Sequence, residues 1–75
     1  MFRFGLAASQ RVSIAIYDLA GRRVRQLVDG LLPAGEGSAS WDGRDDSGNL
    51  APNAVYFCRL DCAGASLGTK LVRMR

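Results

Sequence analysis

The most regular run in the chain is Val12-Ser13-Ile14-Ala15-Ile16-Tyr17, in which β-branched residues alternate with small or amphipathic ones. A period of two places successive side chains on opposite faces of a strand, and β-branched residues favour that conformation. We therefore predict a strand whose Val12, Ile14 and Ile16 side chains enter a core. The turn Asp18-Leu19-Ala20-Gly21 follows it and ends in a glycine that can adopt positive φ.

Patterns typical of strands also occur at 2–6, 38–41, 55–60 and 69–75. The connections between them are rich in Gly, Pro and Asp, and 33–37, 42–53 and 63–68 are predicted to be turns or loops. Short strands with turns about every eight to twelve residues are typical of an all-β sandwich. Its core is predicted to contain Val12, Ile14, Ile16, Trp41, Tyr56 and Leu60.

Residues 22–32 fit two structures. Val24, Leu27, Val28 and Leu31 have the spacing of an apolar helical stripe, with Arg22, Arg23 and Arg25 on the other side. The run is too short for a self-supporting helix, and a strand with a bulge near Leu27-Val28 explains it equally well. The pattern alone leaves both structures open.

Length and composition indicate one small globular domain: the chain has 75 residues, 48% of them hydrophobic, and a net charge of +3. No apolar run reaches the roughly 18 residues of a membrane span. The start, Met1-Phe2-Arg3-Phe4-Gly5, lacks the apolar region of a signal peptide. The chain is therefore predicted to be either part of a longer exported protein or cytosolic.

Cysteine usage favours free thiols over a disulfide or a metal site. If Cys58 and Cys62 share one strand, their Cα atoms are roughly 13 Å apart, well beyond the roughly 7 Å limit for a disulfide. A metal site would require further Cys or His ligands, and the chain contains no His. No cofactor is predicted.

Two motifs that suggest chemistry are better explained as turns. Gly64-Ala65-Ser66-Leu67-Gly68 matches a serine-nucleophile pattern, but there is no His to accept the serine proton. The loop 42–49 offers Asp42, Asp45 and Asp46 as weak calcium candidates, yet it departs from the EF-hand pattern at Arg44, Ser47 and Asn53. Asp and Asn in such loops commonly bond their own backbone. We therefore predict that the protein is not an enzyme.

The cluster Arg22, Arg23 and Arg25 is the strongest basic feature of the chain. It suggests a phosphate, nucleic acid or acidic protein as partner. No aromatic residue is interleaved with the arginines, so a base-stacking surface is not indicated. Solvated arginines on a strand or helix surface are the preferred interpretation, and nucleic-acid binding is the third functional hypothesis.

Three separated motifs resemble one family. Residues 16–27 (IYDLAGRRVRQL), 41–48 (WDGRDDSG) and 55–60 (VYFCRL) occur in the order and spacing of the FlgD-type immunoglobulin-like domain of the flagellar hook-capping protein, and Lys70-Leu71-Val72 resembles its closing strand. Similar domains end many exported bacterial proteins as type IX secretion sorting domains. The resemblance implies an immunoglobulin/fibronectin III-like β-sandwich of six to seven short, mostly antiparallel strands, with residues 22–28 in a strand.

The resemblance also implies function. Residues 1–75 are expected to be a single non-catalytic domain from the C-terminal end of a longer exported bacterial protein, used for secretion sorting or surface attachment. The alternative is a structural domain of a flagellar hook-capping scaffold. Protein partners and a location outside the cell or on its surface follow from both, and the oligomeric state stays open. The candidate partner-binding residues are Lys70, Leu71, Val72, Arg73, Met74 and Arg75 on the terminal strand, with Arg22, Arg23 and Arg25.

Overall fold

Six β-strands make up the regular structure of the computed structural model, which describes residues 2–62 and 64–73. No helix in these residues is long and apolar enough to cross a bilayer. The strands are β1 (Phe2–Leu6), β2 (Gln10–Tyr17), β3 (Arg23–Leu32), β4 (Gly35–Ala39), β5 (Ala54–Cys62) and β6 (Ala65–Arg73).

The strands form two antiparallel sheets, one of four strands in the order β3-β2-β5-β6 and one of the two strands β1 and β4. The strand with the clearest alternating pattern, β2, is hydrogen-bonded on both sides and lies inside the larger sheet. The expected all-β, immunoglobulin-like sandwich is therefore confirmed.

The core lies between the two sheets. Its largest fully buried side chains are Val12, Ile14 and Ile16 of β2, as expected from their alternation in the sequence. Tyr56 is also buried, whereas Trp41 and Leu60 are half-buried and pack against the cluster. The remaining buried members are Leu6, Ala39, Ala51 and Cys58.

Residues 22–32, for which the sequence left helix and strand open, contain the strand β3. Ile14 of β2 pairs with Val28 and the next residue, Ala15, pairs with Gln26, so Leu27 is an extra residue in β3. This β-bulge, with a second irregularity at Val24, explains why apolar residues in β3 follow a helix-like spacing. The bulged strand is confirmed, and the helical alternative is wrong.

Two predicted connections are wrong in part. Residues 63–68 were expected to be a loop, but β6 already starts at Ala65, which pairs with Cys62. Gly64 adopts φ 79°, which permits a turn tight enough for β5 and β6 to pair as far as Cys62 and Ala65. The predicted strand 38–41 is also displaced. Pairing with β1 starts β4 at Gly35, so three residues of the predicted turn 33–37 belong to the strand, and β4 ends before Trp41.

Strand register determines which side chains face away from the core. In antiparallel pairs, residues directly opposite each other lie on the same face. Tyr56 and Cys58 are buried on the inner face, so the alternate residue Phe57 belongs to the other face, together with its partners Tyr17 and Lys70. We call this side of the four-stranded sheet the outer face.

Candidate functional site

The outer face carries a cluster of apolar side chains with Lys70 beside it. Tyr17, Phe57 and Lys70 form one row across β2, β5 and β6, and Val55 pairs with Val72 one step further along. Phe57 is 39% exposed and Val72 is 58% exposed. We call these five residues the outer patch. Sequence analysis missed Phe57 because the apolar run 55–58 hides the alternation between inner and outer side chains.

The candidate residues of the terminal strand divide between the two faces. Lys70 and Val72 lie in the outer patch, whereas Leu71 pairs with buried Tyr56 and packs against the core. Arg73 is half-buried. The other two candidates, Met74 and Arg75, lie outside the described residues.

Each arginine of the basic cluster has an acidic neighbour. Arg22 Nε lies 3.1 Å from Asp18 Oδ2, and Arg23 Nε lies 3.2 Å from Asp46 Oδ2. Arg25 Nη1 donates to the carbonyl of Asp45 at 3.2 Å and lies 3.9 Å from Asp42 Oδ1. The structure brings Arg23 and Arg25 against residues 42–49, the Asp-rich loop, whereas Arg22 pairs with Asp18. The positive field of the cluster is therefore locally offset.

The turn between β2 and β3 is built around Asp18. Its Oδ1 accepts hydrogen bonds from the backbone N–H groups of Ala20 and Arg22, at 3.0 and 2.9 Å. The bond from the Arg22 amide, aided by the Arg22 guanidinium, lowers the pKa of Asp18 below its ordinary value of 3.8. These contacts give Asp18 a structural role in the turn.

The three carboxylates that were candidates for binding calcium each accept hydrogen bonds from different backbone N–H groups. Asp45 Oδ1 accepts from the backbone N–H groups of Ser47 and Asn49, and Asp42 Oδ1 accepts from that of Arg44. Asp46 Oδ1 accepts from the backbone N–H of Gln26 in β3 at 2.9 Å. Among the described residues, no three Asp, Glu, Cys or His side chains are grouped to hold a metal ion.

A cluster of aromatic and arginine side chains holds the base of the same loop. The rings of Trp41 and Tyr56 meet edge to face with centroids 5.1 Å apart. Trp41 Nε1 donates to the Arg44 carbonyl at 2.9 Å, and the Tyr56 hydroxyl donates to the Pro52 carbonyl at 2.6 Å. Arg73 Cζ lies 6.0 Å from the Trp41 ring centroid. This cluster fixes where the loop leaves and rejoins the sandwich.

Both cysteines are free and lie on β5, with Cys58 buried and Cys62 half-buried. Burial raises the pKa of the Cys58 thiol above its ordinary value of 9.0. A buried thiol that is protonated at neutral pH is a poor nucleophile. Ser66, the serine of the nucleophile-like motif, lies in β6, where its hydroxyl accepts from Arg59 Nε at 2.9 Å.

Comparison with known families agrees with this architecture. The model of the FlgD Ig-like domain matches residues 3–62, which run from the second residue of β1 to the end of β5 and include the Asp-rich loop. The chain belongs to the FlgD Ig-like domain family. Its resemblance to that family, seen first in the three sequence motifs, is therefore confirmed.

Two relatives of this FlgD Ig-like domain are the basal-body rod modification proteins FlgD of Salmonella typhimurium and Salmonella typhi. Each is 36% identical over 72 residues, which cover 92% of this chain. The chain spans about 30% of the length of each relative. No solved structure matches the chain.

Proposed function

We propose that this FlgD Ig-like domain is a non-catalytic assembly module of a flagellar protein, and that it contacts its protein partners through the outer patch. The observation that carries the proposal is the exposed row Tyr17, Phe57 and Lys70, with Val55 and Val72 beside it, in a domain similar to basal-body rod modification proteins. A location at the flagellum or the cell surface, within a longer protein, belongs to the same proposal.

The chemistry of the outer patch supports protein binding. Aromatic and aliphatic side chains on a well-formed sheet offer contact area at low cost in conformational entropy, and Tyr and Phe are enriched at interfaces. Lys70 adds a cation at the edge of the patch, which favours an acidic residue on the partner. By contrast, the Arg22, Arg23 and Arg25 side chains are engaged within the domain. That arrangement weakens the nucleic-acid hypothesis.

Secretion sorting or surface attachment is the competing proposal. Its support is the resemblance of the motifs to type IX sorting domains, whereas the matched relatives are named for the basal body. The names of the relatives therefore favour the assembly function over the sorting function.

A graft into the Salmonella typhimurium relative tests the assembly function. The matched 30% of that protein is replaced by this chain, and swimming in soft agar is measured. We expect the graft to support swimming and the double variant Phe57→Asp, Val72→Asp to abolish it. The matched control is Leu31→Asp, which adds a charge at a 70% exposed position of β3 outside the patch. Equal swimming with the double variant and the control would remove the outer patch from the proposal.

A reporter fusion separates the two proposals. The chain is fused to the C-terminus of a secreted reporter enzyme in a host with type IX secretion, and reporter activity is measured in the medium. The assembly function predicts that the reporter stays in the cell. Efficient export, lost when the chain is deleted, would favour the sorting function instead.

A further inference from the structure

The Asp-rich loop covers part of the backbone edge of β3. Within residues 2–62 and 64–73, β3 pairs with β2 alone and is an edge strand of the larger sheet. The backbone N–H of Asp46 donates to the Val24 carbonyl at 2.9 Å, and Asp46 Oδ1 accepts from the backbone N–H of Gln26 at 2.9 Å. Because Asp46 does not lie between two paired strands, these two groups of β3 point away from β2.

Asp46 takes the place of one residue of a parallel neighbouring strand. In a parallel ladder, the residue opposite Arg25 would donate its N–H to the carbonyl of residue 24 and accept from the N–H of residue 26. Asp46 makes both bonds, with a carboxylate oxygen in place of the backbone carbonyl. Its second oxygen, Oδ2, lies 3.2 Å from Arg23 Nε. Both oxygens of this carboxylate are therefore held by β3.

Hydrogen bonds within the loop hold Asp46 in this position. The backbone N–H of Asp45 donates to the Asn49 carbonyl at 2.8 Å, and that of Gly48 donates to the Asp45 carbonyl at 3.0 Å. The Asp45 carbonyl also accepts from Arg25 Nη1 of β3 at 3.2 Å. Since its neighbour in the chain is already fixed, Asp46 reaches the edge of β3 at low cost in conformational entropy.

The β-bulge of β3 interrupts the edge immediately beyond the Asp46 contacts. Leu27 is the extra residue, and a bulge disrupts the ladder locally and increases the twist of the strand. The Gln26 side chain bridges the bulge to β2, because its Nε2 donates to Ser13 Oγ at 3.0 Å and to the Ile14 carbonyl at 3.2 Å. Covering loops and bulges are two means by which proteins protect edge strands from pairing with other chains. Both occur here within four residues of one strand.

We propose that Asp46 is an intramolecular plug that keeps the edge of β3 from pairing with a second copy of this chain. Charge makes a second copy the fitting occupant of the opened edge. In an antiparallel pair of two β3 strands, the end of one that carries Arg23 and Arg25 lies toward the end of the other that carries Asp29. The role of Asp46 does not depend on the function proposed for the outer patch.

Two substitutions at the same position test the plug. Asp46→Asn removes the charge but keeps an oxygen that can accept from the Gln26 amide, whereas Asp46→Ala removes both. Hydrogen exchange of the Gln26 amide should be slow in the unsubstituted chain and in Asp46→Asn. In dilute Asp46→Ala it should be about tenfold faster, because the amide loses its acceptor.

Sedimentation over a concentration series measures the pairing that the plug prevents. Asp46→Ala should self-associate about tenfold more tightly than either the unsubstituted chain or Asp46→Asn, the control of equal charge. As the concentration of Asp46→Ala rises, its Gln26 amide should become protected again, because the β3 strand of the second copy supplies an acceptor.

Several results would overturn the proposal. Fast exchange of the Gln26 amide in the unsubstituted chain would do so without any variant. Equal self-association of Asp46→Ala and Asp46→Asn would assign the effect to charge, and self-association that leaves the Gln26 amide unprotected would place the contact on another surface. The double variant Phe57→Asp, Val72→Asp should leave exchange at Gln26 unchanged, so failure of the outer patch and failure of the plug are distinguishable.

Discussion

Arg73 lies against Gly43, where an added Cβ would stand 2.7 Å from the arginine Cζ. The same guanidinium donates from Nε to the Ala51 carbonyl at 3.0 Å and lies over the Trp41 ring. A residue at the end of β6 thus connects both ends of the long loop between β4 and β5. Its guanidinium is engaged within the domain, so we leave Arg73 out of the proposed partner surface.

Gly43→Ala should destabilise the domain more than Gly48→Ala. Both glycines have positive φ, 80° and 89°, so each substitution carries backbone strain. Only at Gly43 must Arg73 also move, which weakens its contacts with Ala51 and Trp41 and adds about 1 kcal/mol. Urea unfolding of both variants measures the difference. Equal losses would show that the Arg73 contact contributes nothing to stability.

Gly37→Ala should destabilise the pairing of β1 with β4. Phe4 lies directly over Gly37, and a Cβ there would meet Phe4 Cζ at 2.5 Å. Displacing the ring should cost about 1–3 kcal/mol in unfolding free energy. Gly5→Ala is the matched control, because an added Cβ at Gly5 has nothing within 4 Å. Thermal unfolding should separate the two variants, and similar melting temperatures would contradict the placement of Phe4.

Tyr56→Phe should cost about 1 kcal/mol in unfolding free energy, since it removes the hydrogen bond from the hydroxyl to the Pro52 carbonyl while keeping the buried ring. Tyr17→Phe, on the outer face, should have a smaller effect. Chemical denaturation of both variants checks the expectation. If Tyr56→Phe left the free energy of unfolding unchanged, other contacts would hold the loop.

Acid should weaken the turn between β2 and β3. The Arg22 amide holds the pKa of Asp18 below its ordinary value of 3.8, so the unfolded chain binds a proton at higher pH than the folded one. The stabilisation is therefore complete above the unfolded pKa and is lost as pH falls through the lower folded value. Asp18→Asn should flatten the acid limb of stability against pH. Asp29→Asn, at an exposed carboxylate, is the control.

The two cysteines should differ in reactivity. Burial raises the pKa of Cys58 and shields its sulfur, whereas Cys62 is half-buried. Ellman's reagent should therefore modify Cys62 first in the native protein, and Cys58 only at the rate of unfolding. Cys62→Ala should remove the fast phase. A fast phase that persists in this variant would contradict the burial of Cys58.

Sequence periodicity predicted the strands whose two faces differ in environment. In β2, Val12, Ile14 and Ile16 alternate with residues on the outer face, and this pattern can be recognised from the sequence alone. In β3 the extra residue Leu27 shifts the period, so the pattern supported a helix as well as a strand. For residues 22–28, only the resemblance to a family favoured a strand over a helix.

The outer patch and the Arg73 contact were beyond sequence reasoning for a different reason. Tyr17, Phe57 and Lys70 meet only through the register of three strands, which local pattern does not determine. Arg73 and Gly43 are far apart in sequence, and nothing local marks their contact. By contrast, the internal hydrogen bonding of the Asp-rich loop followed from residue type alone.

The outer patch depends on the larger sheet, whose strand order β3-β2-β5-β6 places β2 between β3 and β5. Nuclear Overhauser effects in an isotope-labelled sample test this order most directly. We predict cross-strand contacts from the backbone of Ile14 to Val28 on one side and to Leu60 on the other. A ladder of contacts between residues three apart through 23–32, without those cross-strand contacts, would show a helix there and contradict the account.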